Sequence, residues 1–326
     1  MRVGFQGDLG AFSEEAIYEL VAEAEAVPCR SFDAVVLAVE QGTADAGVLP
    51  VENTLAGTVA AAYDALAGGA TRVVSEVAIP IRHCLLGVPG ASLQSLEEVR
   101  SHPVALSQCR GFFALHPGIL EQAVYDTAGA ARAVASAGVP TVAAIASRGA
   151  GVRYGLDVLQ AELQDRSDNQ TRFFLVTREG MGEDSIGEPS ASSQAVDRLA
   201  LKTAWVAEIP NRPGSLHQLL GVFVTRGLDL THVVSRPAES PWTYRFILEF
   251  THADPADAGR ASEEAERLGA VVRELGTFAA WQADRQADGE KGALTTFSDG
   301  SNNAETGFSR PAGCQERRRT TFSVIR

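Results

Sequence analysis

The chain of 326 residues is 45% hydrophobic and carries a formal net charge of -13. That length exceeds one ordinary core, so two or three domains are expected, each with enough apolar sequence to bury its own. An acidic balance of this size argues against a nucleic-acid surface and repels anionic ligands at long range, so any anion site must be built from local donors. The cysteines Cys29, Cys84, Cys109 and Cys314 lie far apart without C-x-x-C spacing, and the histidines never pair at i and i+4. Neither a disulfide framework nor a zinc site is indicated, and no metal or cofactor is expected. Met1-Arg2-Val3-Gly4-Phe5 runs directly into strand-like sequence, and no apolar run reaches the ~18 residues of a membrane span. We expect a cytoplasmic protein without membrane association.

In chain order, residues 3–6 predict a strand, and Ser13 can cap a helix with Glu14 and Glu15 in its first turn. Ala16, Ile17, Leu20, Val21 and Ala24 follow with helical period. Ser31 opens a second helix, with Phe32, Val35, Val36 and Val39 on one face and Gly42 at its end, and residues 46–51 read as a buried strand. This is a doubly wound α/β beginning. After a strand at 73–77 the pattern restarts: a long strand at 79–88, Pro103 in the first turn of a helix, a strand at 124–126 and a helix capped by Thr127. A second α/β lobe follows, and the apolar run 173–176 is expected to return to the first lobe's sheet. Two crossings between lobes leave a cleft suited to a small ligand.

Residues 179–198 are aperiodic and rich in linker residues. Beyond them come a strand at 201–209, a helix at 215–226, strands at 228–234 and 244–251, a helix at 256–268 and a strand at 271–275. That βαββαβ order is ferredoxin-like. Residues 285–326 are polar, carry Arg317-Arg318-Arg319 and read as a disordered tail.

Polar side chains collect where strands should end. Asn169-Gln170-Thr171-Arg172-Phe173 sets an amide, a hydroxyl and a guanidinium at the mouth of a buried strand, where Thr171 can donate a proton and Arg172 can clamp a carboxylate. The same pentapeptide also fits a turn before an ordinary strand, with Arg172 paired to an acid such as Asp168. Comparable groupings occur in Gly7-Asp8-Leu9-Gly10-Ala11-Phe12-Ser13-Glu14, Leu49-Pro50-Val51-Glu52-Asn53-Thr54, and Ser101-His102-Pro103 with Gln108-Cys109. His102 fits a turn-shaping role before its proline, and Cys109 a small core residue.

Taken in order, these four segments resemble the prephenate dehydratase family, through its signatures G-x-x-G-x-F-S-E, P-[IV]-E-N-[ST], S-H-P-x-A-L-x-Q-C and N-x-T-R-F. Asn211-Arg212-Pro213-Gly214-Ser215-Leu216 and Ser235-Arg236-Pro237 look like the effector loops of that family's ACT regulatory domain. The resemblance covers roughly residues 1–280. It implies a two-lobed, periplasmic-binding-protein-like catalytic domain plus a ferredoxin-like ACT domain. The corresponding bounds are 1–78 with 168–178 for lobe 1, 79–167 for lobe 2, 179–198 for the linker, 199–284 for the ACT domain and 285–326 for the tail. Asp8, Ala11 and Val104 depart from the usual proline, threonine and glutamine, Thr54 replaces serine but keeps a hydroxyl, and Val234 and His217 depart in the regulatory half.

The resemblance implies decarboxylative dehydration of prephenate to phenylpyruvate in phenylalanine synthesis, without a cofactor. The leaving hydroxyl needs a proton, whereas the departing ring carboxylate should not meet a strong cation. Thr171 is the residue implied at that hydroxyl, as donor in a relay. Glu52 could refill it, or be the proton source itself if desolvated. Asn53, Ser101 and Gln108 would orient the hydroxyl and ring carboxylate through neutral bonds. Arg172 suits the carboxylate that stays on the product, and Asn169, Ser13 and Thr54 complete the binding set, the last two also fitting helix caps. L-phenylalanine is the implied effector, held by Asn211, Gly214, Ser215, Leu216, Ser235, Arg236 and Pro237 between ACT domains of a homodimer or tetramer. Arogenate dehydratase, or a non-catalytic amino-acid sensor built from the same domains, are the competing readings.

Overall fold

The computed structural model describes residues 1–180, 200–238 and 240–281; the expected tail at 285–326 and nearly all of the expected linker at 179–198 fall outside them. The chain opens with β1 (Arg2–Gln6), α1 (Phe12–Leu20), β2 (Glu25–Cys29), α2 (Phe32–Glu40), β3 (Ala46–Asn53), β4 (Gly57–Thr58), α3 (Ala60–Gly68) and β5 (Thr71–Pro80). A second run follows: β6 (Cys84–Gly87), β7 (Glu98–Ser101), α4 (Pro103–Ser107), α5 (Arg110–Leu115), β8 (Leu120–Ala123), α6 (Thr127–Ala137), β9 (Val142–Ala146), α7 (Arg148–Tyr154) and β10 (Asp157–Gln160). The strand β11 (Gln170–Arg178) then returns to the first sheet, whose order is β2-β1-β3-β11-β5, and lies antiparallel between β3 and β5. The second sheet has the order β10-β6-β9-β7-β8.

β11 reads as a continuous apolar run because both of its faces are covered. Phe173 and Leu175 join Val48, Val77 and Ile79 in one core, whereas Phe174 and Val176 join Leu49, Val51 and Tyr63 in another. Pro50 cannot donate to the ladder, and there the register of β3 against β11 slips, between the pairs Phe173–Pro50 and Arg172–Glu52. Such a bulge re-aims the residues beyond it, here Glu52 and Asn53.

Several boundaries differ from the sequence expectation. The long strand at 79–88 is two strands, because residues 81–83 cross between the sheets. The return crossing is bonded to the first: Ile81 N–H donates to Asn169 O (2.8 Å) and Leu163 N–H to His83 O (2.9 Å). The strand expected at 124–126 lies at Leu120–Ala123, and Asp126 rather than Thr127 caps α6 by accepting from Gly129 N–H (3.1 Å). Ser31 caps α2 as expected, accepting from Ala34 N–H (3.2 Å).

The third sheet is built from β12 (Leu201–Glu208), α8 (Ser215–Arg226), β13 (Asp229–Pro237), β14 (Tyr244–His252), α9 (Ala256–Arg267) and β15 (Val271–Ala279), antiparallel in the order β13-β14-β12-β15. Alternation along β12 decides its packing. Trp205 and Ala207 face α8 and α9 with Phe223 and Phe250, whereas Ala204 and Val206 face the first sheet with Phe174 and Leu49. β15 passes so close to β5 that a Cβ on Gly276 would lie 2.1 Å from Val73 O, and only glycine fits there. The first and third sheets therefore share one apolar core.

Candidate active site

The site forms where β3 ends and β11 begins, with Thr171 opposite Asn53 and Arg172 opposite Glu52. Asn53 is its hub. Its Oδ1 accepts from the backbone N–H groups of Leu55 (3.0 Å) and Ala56 (2.8 Å), which fixes which end of the amide is oxygen. Its Nδ2 therefore points the other way, and its two hydrogens are shared among Asn169 Oδ1 (2.8 Å), Gln170 O (2.9 Å) and Thr171 Oγ1 (2.9 Å). Thr171 thus accepts from an amide and keeps its own proton for another partner.

Gln108, which follows α4, reaches this group from the second sheet's side. Its Oε1 accepts from Asn169 Nδ2 (3.0 Å), and its Nε2 lies 3.5 Å from Asn53 Oδ1. Thr54 Oγ1 donates to Asp168 O (3.0 Å) and accepts from Gln170 N–H (3.0 Å), tying the two strand ends together. Thr54 is therefore a strand staple and not a helix cap, since α3 starts only at Ala60. Gln108, Thr54, Val104 and Ser107 line a cleft of about 410 Å³. Val104 stands at its rim, 40% exposed.

Arg172 corrects the sequence expectation. Neighbouring residues of a strand point to opposite faces, and Arg172 shares the face of Phe174, turned toward the third sheet. Its guanidinium donates to Glu249 (2.7 Å) and Glu76 (2.9 Å) through Nη1 and to Glu52 (3.0 Å) through Nη2. Lys202 adds a second cation 2.7 Å from Glu76, and the Tyr63 hydroxyl donates to Glu249. Burial opposes charge on both Arg172 and Glu249. Their mutual attraction prevails, raising the guanidinium's pKa and lowering the carboxyl's. Burial and the Glu249 charge hold the Tyr63 phenol well above its usual value. Arg172 is thus neither a free carboxylate clamp nor a partner of Asp168, which pairs with Arg166 (2.9 Å). Glu52 is likewise bound into this ion cluster rather than set beside Thr171 as a proton store.

Two further expectations change. Ser101 is fully buried and its hydroxyl donates to Ile145 O (2.6 Å) on the neighbouring strand, away from the amide group. Ser13 lies inside α1, whose N-cap position is Ala11 without a side-chain cap; Gly10 N–H is taken instead by the Glu14 carboxylate. Gly10 itself, at φ +93°, touches α7, where a Cβ would come within 2.8 Å of Ala150 Cα. Asp8, in place of the usual proline, accepts from Arg132 (2.9 Å) on α6. His102 caps α4, its Nδ1 accepting from Val104 N–H (3.2 Å). Cys109 is buried, which pushes its thiol up to about 12 and leaves it inert.

The sequence reading missed His83, Tyr63, Glu76, Lys202 and Glu249. For Glu76 and Glu249 a signal existed: each is a carboxylate inside an apolar strand run, and such a residue requires a buried partner.

A second cavity, of about 290 Å³, opens at the N-terminus of α8 and is lined by Asn211, Gly214, Ser215, Leu216 and His217 together with Tyr244. Gly214 holds φ +87°, and the Ser215 hydroxyl is buried without a partner among the described residues. Ser235, Arg236 and Pro237 on β13 do not line it. Arg236 pairs instead with Asp64 of α3 (Nε to Oδ1, 3.1 Å), which lowers the Asp64 pKa chiefly through that hydrogen bond.

The family model for prephenate dehydratase matches residues 3–181. Arogenate dehydratase/prephenate dehydratase 2 of Arabidopsis thaliana, a chloroplastic protein, is 36% identical over 290 residues, covering 85% of this chain and 72% of the relative. Its chloroplastic counterpart 1 from the same plant is 40% identical over 237 residues, covering 73% of this chain and 57% of that protein. Among solved structures, a prephenate dehydratase from Arthrobacter aurescens in complex with L-Phe superposes with a TM-score of 0.75 at 30% identity, covering 86% of this chain and 90% of that one. A protein described as a novel type of quorum-quenching acylase gives 0.74 at 29%, covering 86% and 98%. The chloroplastic relatives overturn the cytoplasmic location expected from the sequence. With the fold, the motif residues and these relatives in agreement, the chain belongs to the prephenate dehydratase family and is a dehydratase.

Proposed function

We propose that the substrate is prephenate and that Thr171 delivers the proton to its leaving hydroxyl. The observation that carries this reading is the Asn53 amide, which fills an acceptor position on Thr171 Oγ1 (2.9 Å) and so leaves the threonine proton to point elsewhere. As the ring carboxylate breaks away as carbon dioxide, its bonding pair enters the ring, the carbon–oxygen bond opens and the departing oxygen takes a proton to become water. One proton is consumed per turnover. A threonine is too weak an acid to supply it outright, so Thr171 works as a relay refilled from solvent in the cleft. Gln108 holds the substrate through a neutral amide that Asn169 and Asn53 keep in place, which orients the departing carboxylate without stabilising it as an anion.

Arogenate is the second reading, favoured by the relatives that carry its name. It differs only in an amine on the side chain, and the same steps serve it. Purified protein given each substrate in turn, with phenylpyruvate and phenylalanine as readouts, separates the two by kcat/KM. No turnover of either would sink the enzymatic reading and leave the sensor.

L-phenylalanine is the proposed effector, in the cavity at α8. The free N–H groups of a 12-residue helix start suit its carboxylate, and the Arthrobacter relative holds this amino acid. We place the subunit contact of a homodimer or tetramer on the third sheet, whose edge strand β13 is open to pairing. An unchanged rate with added phenylalanine would leave that cavity without its ligand, and a monomer in light scattering would remove the subunit contact.

A further inference from the structure

His83 lies on residues 81–83, the first crossing between the sheets, and is 2% exposed. Its backbone N–H donates to Gln164 Oε1 (2.8 Å) and its carbonyl accepts from Leu163 N–H (2.9 Å), so the residue is held from the return crossing as well. Phe12 packs edge-on against the ring, with centroids 5.5 Å apart. Its Nε2 stands 2.9 Å from Gln108 Oε1, and its Nδ1 is buried without a partner among the described residues.

The tautomer follows from the chain of bonds. Two backbone N–H groups set the orientation of Asn53, Asn53 Nδ2 then sets Asn169, and Asn169 Nδ2 requires that Gln108 turn its oxygen inward. A nitrogen lone pair cannot face that oxygen, so His83 Nε2 must carry a proton. Burial disfavours the imidazolium and holds the His83 pKa below its usual value, leaving Nδ1 as the bare nitrogen.

We propose that His83 is a positioning residue for the dehydratase site: its Nε2–H fills the second acceptor position of Gln108 Oε1 and thereby locks the Gln108 amide with its N–H₂ toward Asn53 and the cleft. Without that donor Asn169 Nδ2 is the one donor left to Gln108 Oε1 among the described residues, the amide turns over more readily, and in the turned state an oxygen would meet the carboxylate or hydroxyl oxygen of the substrate. Lone-pair repulsion would replace a hydrogen bond there. This inference rests on the dehydratase reading, yet one of its tests does not depend on turnover.

Methionine and glutamine are close in size and shape, and only glutamine offers a terminal N–H₂ near the position of His83 Nε2. His83→Met should lower kcat/KM about tenfold, the scale of one lost neutral hydrogen bond, while His83→Gln recovers most of it. A packing role alone would affect the two variants alike. Wild-type kinetics in His83→Met, or equal impairment in both, would overturn the proposal. Independently of folding in either variant, nitrogen NMR of the histidine-labelled wild type at neutral pH should show His83 protonated at Nε2 and bare at Nδ1. The opposite tautomer, or an imidazolium, would overturn it. If the wild type turned over neither prephenate nor arogenate, the dehydratase reading would fail while the tautomer still judged the geometry.

Discussion

Thr171 and Arg172 are consecutive residues of one strand with opposite surroundings. Thr171 lies among neutral amides that connect it through Asn53 and Asn169 to Gln108 on the cleft wall, whereas Arg172 lies among Glu52, Glu76 and Glu249 against the third sheet. The difference follows from the pleat, which sends adjacent side chains to opposite faces. It also suits the chemistry. Arg166 does line the cleft, but its guanidinium is paired with Asp168 (2.9 Å); a second, free guanidinium there would bind the carboxylate that must leave, and the energy of that contact would be lost on the way to carbon dioxide. Turned to the other face, the same cation joins β11 to Glu249 of the third sheet, between two layers that already share a core.

Removing the Thr171 hydroxyl should have the larger effect on turnover. Thr171→Ala is expected to lower kcat by about 10²- to 10⁴-fold, the usual range for a lost proton-transfer group, with little change in melting temperature. Near-full activity would end the relay role and return the amide group to a purely structural place.

Arg172→Met should act in the opposite sense. It leaves Glu76 and Glu249 buried with Lys202 as the one cation opposite them among the described residues, and breaking a buried ion cluster on one side costs about 3–5 kcal/mol. Urea unfolding should register that loss, and adding Glu249→Gln should recover part of it by removing one stranded carboxylate. The folded fraction should keep kcat within a few-fold of wild type. A collapsed kcat with unchanged stability would place Arg172 back at the substrate.

Much of the neutral side was legible in the sequence, and little of the charged side was. Asn53, Asn169 and Thr171 stand in short motifs at the ends of two paired strands, which meet by necessity, whereas Gln108 was legible from its motif alone, since it follows α4. The ion cluster depends on which face of β11 meets the third sheet, a long-range contact that no local pattern encodes. Parity alone nevertheless forbids Thr171 and Arg172 from serving the same cleft once both are placed in a strand. Ser13 failed for a local reason: Phe12 already sits in the helix, so the cap position moved back to Ala11. The ferredoxin-like order was readable because each helix began and ended at clear signals, such as Gly214 before α8 and Gly227 after it.

Acid separates the two regions by the pH at which each gives way. His83 has a lowered pKa in the fold, so below its usual value of 6.5 the unfolded chain takes up the proton first, and stability falls as pH drops through that window. Half-buried His102 is lowered too and adds to the same slope. Glu249 is also lowered, but from 4.5; its contribution is intact above that value and is lost only as pH falls through its depressed pKa. Urea midpoints should therefore decline in two stages, with the earlier decline shallower in His83→Met. An identical slope between about pH 7 and 5 in both proteins would mean that His83 does not titrate on unfolding.

The smallest expected effect tests how the neutral group is anchored. Thr54 is exposed, yet its hydroxyl bonds Asp168 O and Gln170 N–H at once, beside the turn that presents Asn169 and Thr171 to Asn53. Thr54→Ser keeps both bonds and should match wild type. Thr54→Val keeps the shape, removes both bonds and should cost about 1 kcal/mol of stability, with kcat falling a few-fold as the strand ends loosen. Water can reach the freed backbone groups at this exposed position, which keeps the loss below that of a buried pair. Were Thr54→Val to leave kcat unchanged while stability fell, the Asn53 turn alone would be holding Thr171, and the anchoring would reside in the backbone donors of Leu55 and Ala56.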